Sequence, residues 1–222
     1  GLSKIQYQNY EKSKHFDDTK NELEAALACA PNGALFGSSY VRMPFPVRLW
    51  VWNAFSGAES GVSHWIAKTF GKAPVLMSWV NPVLRASVAQ SVMRSHGYFR
   101  GTVGYETVTM RNPKKAKIAY TVTMNHLFTL DSITRENFPV ATDSLLEATS
   151  KDAKIHSGDP FDASLLDAER TRISTLFRNN GYFYYKPDYA SYLADTLARR
   201  GRVQLRMLMS DNVPDRARRK WY

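Results

Sequence analysis

The sequence predicts an α+β protein made of two tandem β-α-α-β-β units, each a three-stranded sheet covered by two helices. Three observations carry this. First, one motif occurs twice, as Met93-Arg94-Ser95-His96-Gly97-Tyr98-Phe99 and as Phe177-Arg178-Asn179-Asn180-Gly181-Tyr182-Phe183, with the two glycines 84 residues apart. Second, a helical apolar pattern precedes each copy. Third, a segment of period-two alternation follows each copy, which is the mark of a strand with one face on a core and one in water.

The elements follow in order. Ile5 to Tyr10 is a short strand. Asp17 to Ala30 is a helix, acidic in its first turn, with Leu23 and Leu27 four apart, and Pro31-Asn32-Gly33 stops it. The second helix carries Leu84, Val88 and Val92 at helical spacing and ends at Gly97. Thr102 to Met110 is a strand, Asn112-Pro113-Lys114-Lys115 a turn, and Ile118, Tyr120, Val122 and Met124 are the inward face of the third strand.

The second unit repeats this plan. Leu127 to Ile133 is its first strand and Asp143 to Ser150 its first helix. The second helix opens at Asp162, a good N-cap, and turns Leu166, Ile173, Leu176 and Phe177 to one side. Tyr184 to Leu197 is the second strand. After Arg199-Arg200-Gly201, Val203, Leu205, Met207 and Met209 are the inward face of the third. Gly97 and Gly181 each fall where a helix needs a left-handed residue, which glycine supplies without a Cβ clash. The tyrosine and phenylalanine after each then pack between helix and sheet, so Gly97, Tyr98, Phe99, Gly181, Tyr182 and Phe183 are a structural motif.

The expected boundaries are 1–125 for the first unit, with an insertion over 34–80, then 126–212 for the second, and 213–222 as a basic linker towards a further module. The insertion contains the apolar, aromatic run Met43 to Phe55, which at 13 residues is too short to span a bilayer. It is either an ordered cover on its own domain or an exposed binding patch. The start Gly1-Leu2-Ser3-Lys4 is not a signal peptide and reads as a trimmed or processed end.

Composition narrows the function. With 44% hydrophobic and 23% charged residues, the 222-residue chain has enough apolar material for one sizeable core or two small ones. The net charge of +10 and pI near 9.7 raise nucleic acid and anionic lipid as partners. The basic residues are scattered, with their densest cluster at Arg216 to Lys220, so a solvated basic surface is the plainer account. Cys29 is the only cysteine, which excludes an internal disulfide and a structural zinc site built from cysteines.

Signals of chemistry are weak. Gly61-Val62-Ser63-His64-Trp65 has Trp where a nucleophile elbow needs Gly, and Gly71-Lys72-Ala73 lacks the glycine spacing and Ser/Thr of a phosphate loop. His15, His64, His96, His126 and His156 lie 30 or more residues apart, so none pairs at i, i+4 as metal ligands on one helix do. The expectation is no catalytic, cofactor-binding or metal site.

A β-α-α-β-β repeat whose second helix ends in Gly-Tyr-Phe resembles the POTRA domain. Leu176 to Phe183, Ser91 to Phe99 and the lead-in Gly158-Asp159-Pro160-Phe161-Asp162 carry the likeness. The chain is similar to the periplasmic part of BamA/TamA-type outer-membrane proteins of the Bacteroidetes kind, with Leu35-Phe36-Gly37 and the Trp-containing insertion favouring that branch. The resemblance covers most of residues 4–210 and is stronger for the second unit.

The resemblance implies a non-enzymatic piece of a longer assembly factor, at the periplasmic face of a Gram-negative outer membrane. In that parent it would be continuous with further modules and a membrane β-barrel. The implied partners are β-barrel precursors, periplasmic lipoproteins or both, with no nucleic acid. The implied mode is β-augmentation, in which a client strand pairs with an open sheet edge. The second strands are the edges in this plan, which singles out Thr102, Val103, Tyr105, Val108, Tyr184, Tyr189, Tyr192 and Leu193. A basic two-domain binder of nucleic acid or anionic lipid is the alternative, and its affinity would fall with salt.

Overall fold

In the computed structural model, residues 4–28, 80–109 and 116–221 are described. The insertion, including Trp50 and Trp52, lies outside them. Two compact units emerge: one takes in residues 1–92 and 101–124, the other residues 93–100 and 125–222. Each holds its own three-stranded sheet, so the protein is α+β as the repeat predicts.

The first unit contains β1 (Lys4–Gln8), α1 (Lys14–Leu27), most of α2 (Pro82–Ser95), β2 (Thr102–Thr109) and β3 (Ala116–Thr123). The sheet order is β1-β3-β2, with β1 parallel and β2 antiparallel to the central β3. The alternation on β3 reads as expected: Ile118, Tyr120, Val122 and Met124 are all buried. Helix α1 starts three residues earlier than its acidic turn suggests. Ser13 is the N-cap, its Oγ accepting the Phe16 N–H at 3.1 Å. The helix buries Phe16, Thr19, Leu23 and Leu27, one face at helical spacing. Arg85 ties α2 to the end of α1 by donating to the Ala28 carbonyl and, at 3.4 Å, to that of Ala26.

One expected core face is wrong. Leu84 and Val88 are exposed, and α2 turns Ala86, Ala89 and Met93 inward. Two of these three inward residues are alanines, so a pattern of large side chains picks out a different face.

The second unit contains β4 (Thr129–Glu136), α3 (Val140–Ala148), α4 (Ala163–Asn179), β5 (Ala190–Asp195), β6 (Arg202–Met209) and the short α5 (Asp215–Arg218). Its sheet order is β4-β6-β5, with the same parallel and antiparallel senses. Val203, Leu205, Met207 and Met209 of β6 are buried against Leu166, Ile173 and Phe177 of α4, as expected. The second strand is shorter than its sequence suggests. Tyr184 precedes it in a turn, and Tyr189 lies in the 3-10 turn Pro187–Tyr189.

The segment expected as a basic linker is part of this unit. Val213 and Ala217 are buried in the cluster around Phe177 and Tyr182, and the Trp221 amide donates to the Gly181 carbonyl at 2.9 Å. Every fourth residue of 213–217 is apolar, which is enough to seat one helical turn even though its neighbours are basic. No helix of the described residues is long and apolar enough to cross a membrane.

Candidate protein-binding edges and the Gly-Tyr-Phe turns

The two motif copies fold alike. Gly97 has φ +82° and Gly181 φ +95°, both left-handed. In the first copy the Gly97 amide donates to the Arg94 carbonyl and the Tyr98 amide to that of Met93. In the second the Gly181 amide donates to Arg178 and the Tyr182 amide to Phe177. This pair of bonds is the Schellman motif, which satisfies carbonyls that the helix end leaves open. Tyr98 and Tyr182 are buried, as expected. Their phenylalanine neighbours differ. Phe99 packs on the second unit's core at Phe128 and Phe161, whereas Phe183 is exposed, contrary to the expectation that it packs between helix and sheet.

A second repeated feature escaped the sequence reading. Asn9 (φ +50°) follows β1, and Asn137 (φ +63°) follows β4. Asparagine tolerates this conformation better than most residues. Each is followed by an aromatic residue, Tyr10 or Phe138, and this Asn-aromatic pair after a strand was the available signal.

The edge strands are placed as follows. Strand β2 pairs only with β3 among the described residues. Thr102, Tyr105 and Val108 are exposed on it and Val103 is half-buried. In the second unit Tyr192 and Leu193 lie on β5, opposite Met207 and Arg206 of β6. Tyr184 and Tyr189 do not join that strand.

The two edges of the second sheet are not equivalent. The lead-in to α4 runs along the outer side of the start of β4 and its approach, from Phe128 to Leu130. The Leu130 amide donates to Asp159 at 2.8 Å, the Gly158 amide to Leu130 at 2.7 Å, and the Phe161 amide to Phe128 at 2.9 Å. Strand β5 has no such cover among the described residues. The Ser210 amide donates to the Tyr189 carbonyl at 2.9 Å, which marks 189 and 210 as a hydrogen-bonded pair. The antiparallel alternation then turns the N–H groups of Ala190, Tyr192 and Ala194 outward.

Beneath the sheet, Glu169 is 3% exposed on the core side of α4. It accepts from the Lys154 amide at 2.8 Å and from two nitrogens of Arg172. Its hydrogen bonds hold the Arg172 guanidinium above its ordinary pKa. The carboxylate and guanidinium line a cavity of about 180 Å³, along with Arg135, His156, Leu146 and Met207. Arg135 is itself engaged by Asp143 and Glu147, each at 2.6 Å. Each lining arginine is thus paired with a carboxylate, which suits a structural network better than a ligand site.

No family model and no curated protein matches the chain. Among solved structures, it is similar to BamA from Haemophilus ducreyi lacking POTRA domains 1–3. The identity is 11% and the TM-score 0.37, over 72% of this chain and 26% of that one. It is also similar to POTRA3–5 of Haemophilus influenzae BamA, at 12% identity and TM-score 0.36, over 95% of this chain and 96% of that one. A third is the N-terminal domain of Omp85 from Thermosynechococcus elongatus, at 12% identity and TM-score 0.33, covering 93% and 61%. The chain spans about a quarter of the first of these structures and nearly all of the second.

Proposed function

We propose that this chain is a pair of POTRA-type binding modules from a BamA-type outer-membrane assembly factor. It works at the periplasmic face of a Gram-negative outer membrane and has no chemistry of its own. Its clients are β-barrel precursors or periplasmic lipoproteins in extended form. They add as strands to the edges of β2 and β5, and the carrying observation is that the lead-in to α4 covers the start of β4 while no segment among the described residues covers the outer edge of β5. Main-chain pairing reads backbone more than side chains, so it tolerates many client sequences. The motif resemblance and the repeated β-α-α-β-β order support the same reading.

Proline at Ala194 tests it. The Ala194 side chain is exposed and its N–H points outward, so proline removes a donor the sheet itself does not use. Binding of an alternating apolar–polar peptide of about ten residues, the length of a barrel strand, is followed by NMR. Shifts should centre on 190–195 in the parent chain and weaken in Ala194→Pro, with the melting temperature little changed. Equal binding by both proteins would reject the β5 edge. Binding to DNA or anionic vesicles that collapses with salt, without peptide binding, would favour the basic-binder alternative.

A further inference from the structure

The two second strands differ in what guards their edges. Strand β2 carries the exposed Glu106 in its middle. From Ala190 to Ala194 strand β5 carries no charge, and only Asp195 closes it. Sheet edges commonly hold charged side chains or proline, because an unguarded edge pairs with another edge. Leu193, 49% exposed, adds an apolar side chain beside this open ladder.

The ladder on β5 is self-complementary. Ala190, Tyr192 and Ala194 turn their N–H and C=O groups outward, because the odd-numbered residues use theirs on β6. Two such strands, run antiparallel about Tyr192, set Ala190 opposite Ala194, Tyr192 opposite Tyr192 and Ala194 opposite Ala190. Each of these pairs exchanges two main-chain bonds. Between them Ser191 falls opposite Leu193, both exposed on the face away from the helices. No like charges meet, since Asp195 falls opposite Tyr189 and Asp188 opposite Thr196. A slip of one residue sets outward groups against inward ones, and a slip of two loses one bonded pair. The strand is also closed at both ends. The 3-10 turn Pro187–Tyr189 precedes it, and the Asp195 carboxylate accepts the Leu197 and Ala198 amides at 2.8 and 3.2 Å after it. Like edges that pair about a two-fold axis close at two copies.

We propose that β5 pairs with β5 of a second copy of this chain, and that this pairing regulates the edge. The proposal rests on the reading above that the β5 edge takes added strands. While two copies are paired, neither edge accepts a client. A client therefore competes with the second copy, and its apparent affinity falls with the fraction of chains left open. One six-residue strand from each copy buries far less than the roughly 1,200–2,000 Å² of a stable interface. The pair is thus weak and forms where chains are crowded.

Charge swapping at the Ser191–Leu193 pairs tests it. The 222-residue chain is followed by sedimentation velocity and by amide NMR shifts from micromolar to millimolar concentration. The mean mass should rise towards that of a dimer, with concentration-dependent shifts centred on 190–195. Ser191→Lys/Leu193→Lys opposes lysines across the dimer and should weaken pairing about tenfold, as should Ser191→Glu/Leu193→Glu. An equal mixture of these two variants sets Lys against Glu and should pair at least as well as the parent. Ala194→Pro removes an outward N–H and should also weaken pairing, which keeps the test open should either charged variant melt early. A chain that stays monomeric at millimolar concentration overturns the proposal. So does association that survives the like-charge variants, or a mixture that pairs no better than its components. Client peptide is titrated into micromolar chain, where the chain is monomeric. Peptide binding without self-pairing removes this proposal and leaves the reading above, and self-pairing without peptide binding does the reverse.

Discussion

Arg172 and Glu169 face each other one turn apart on α4, with Nη2 at 2.6 Å from Oε1 and Nε at 2.9 Å from Oε2. The carboxylate sits on the buried side of the helix, between Leu166 and Ile173. Removing one partner of a buried pair leaves the other charge without compensation, at a cost of roughly 3–5 kcal/mol. Glu169→Ala should therefore lower stability by about that much in urea unfolding. Replacing both residues by apolar side chains of similar volume should cost far less. A single substitution that costs no more than the double would show that the pair does not act as a unit.

Gly181 tests the Schellman turn. A Cβ there would lie 2.9 Å from the Trp221 carbonyl oxygen, and the left-handed φ adds strain. Gly181→Val should cost more than about 1 kcal/mol. Because the clash is with Trp221, amide exchange at Trp221 should rise in the variant more than exchange on β6. A uniform rise across the unit would point to global destabilisation alone.

Two tyrosines with buried hydroxyls make a pH prediction. The hydroxyls of Tyr185 and Tyr192 have no hydrogen-bond partner among the described residues. Burial pushes both well above the ordinary tyrosine pKa of 10. The folded state therefore keeps the neutral form where the unfolded chain has begun to ionise. Their contribution is fully present below pH 10 and is lost as pH rises beyond it. Stability measured by denaturant should fall above pH 10, and less steeply in Tyr185→Phe/Tyr192→Phe.

The same double variant should be at least as stable as the parent at pH 7. An unsatisfied buried polar group carries a desolvation cost of about 1–3 kcal/mol, and phenylalanine removes it with little change of shape. A marked drop in melting temperature would mean that these hydroxyls do have partners in solution.

Asp162 makes a smaller prediction. Its Oδ1 accepts from the Ser164 amide at 2.8 Å, and its Oδ2 lies 3.2 Å from Nδ1 of His96. Loss of an N-cap costs about 1 kcal/mol, so Asp162→Ala should cost at least that. Asp162→Asn keeps a capping oxygen and should recover most of the loss in thermal unfolding. If Asn fails to rescue, the contact with His96 matters more than the cap.

What the sequence determined by itself is local. The alternation of Ile118 to Met124 and of Val203 to Met209 specifies two half-buried strands, because a period of two leaves one assignment of faces. Gly97 and Gly181 specify two helix ends, because few residues other than glycine take that backbone conformation cheaply. Tertiary structure decided the rest. Ala86 and Ala89 share the core face of α2 with Met93, and alanines stand out in no pattern of large apolar side chains. The exposed aromatic Tyr184 reads as strand by propensity but precedes one, since strand preference depends on a partner the sequence does not display. That the start of β4 is covered while β5 is open among the described residues depends on where 158–161 lands, and that Phe183 is exposed while Phe99 is packed depends on which segment reaches it. Such contacts join residues far apart in sequence, and no local pattern records them.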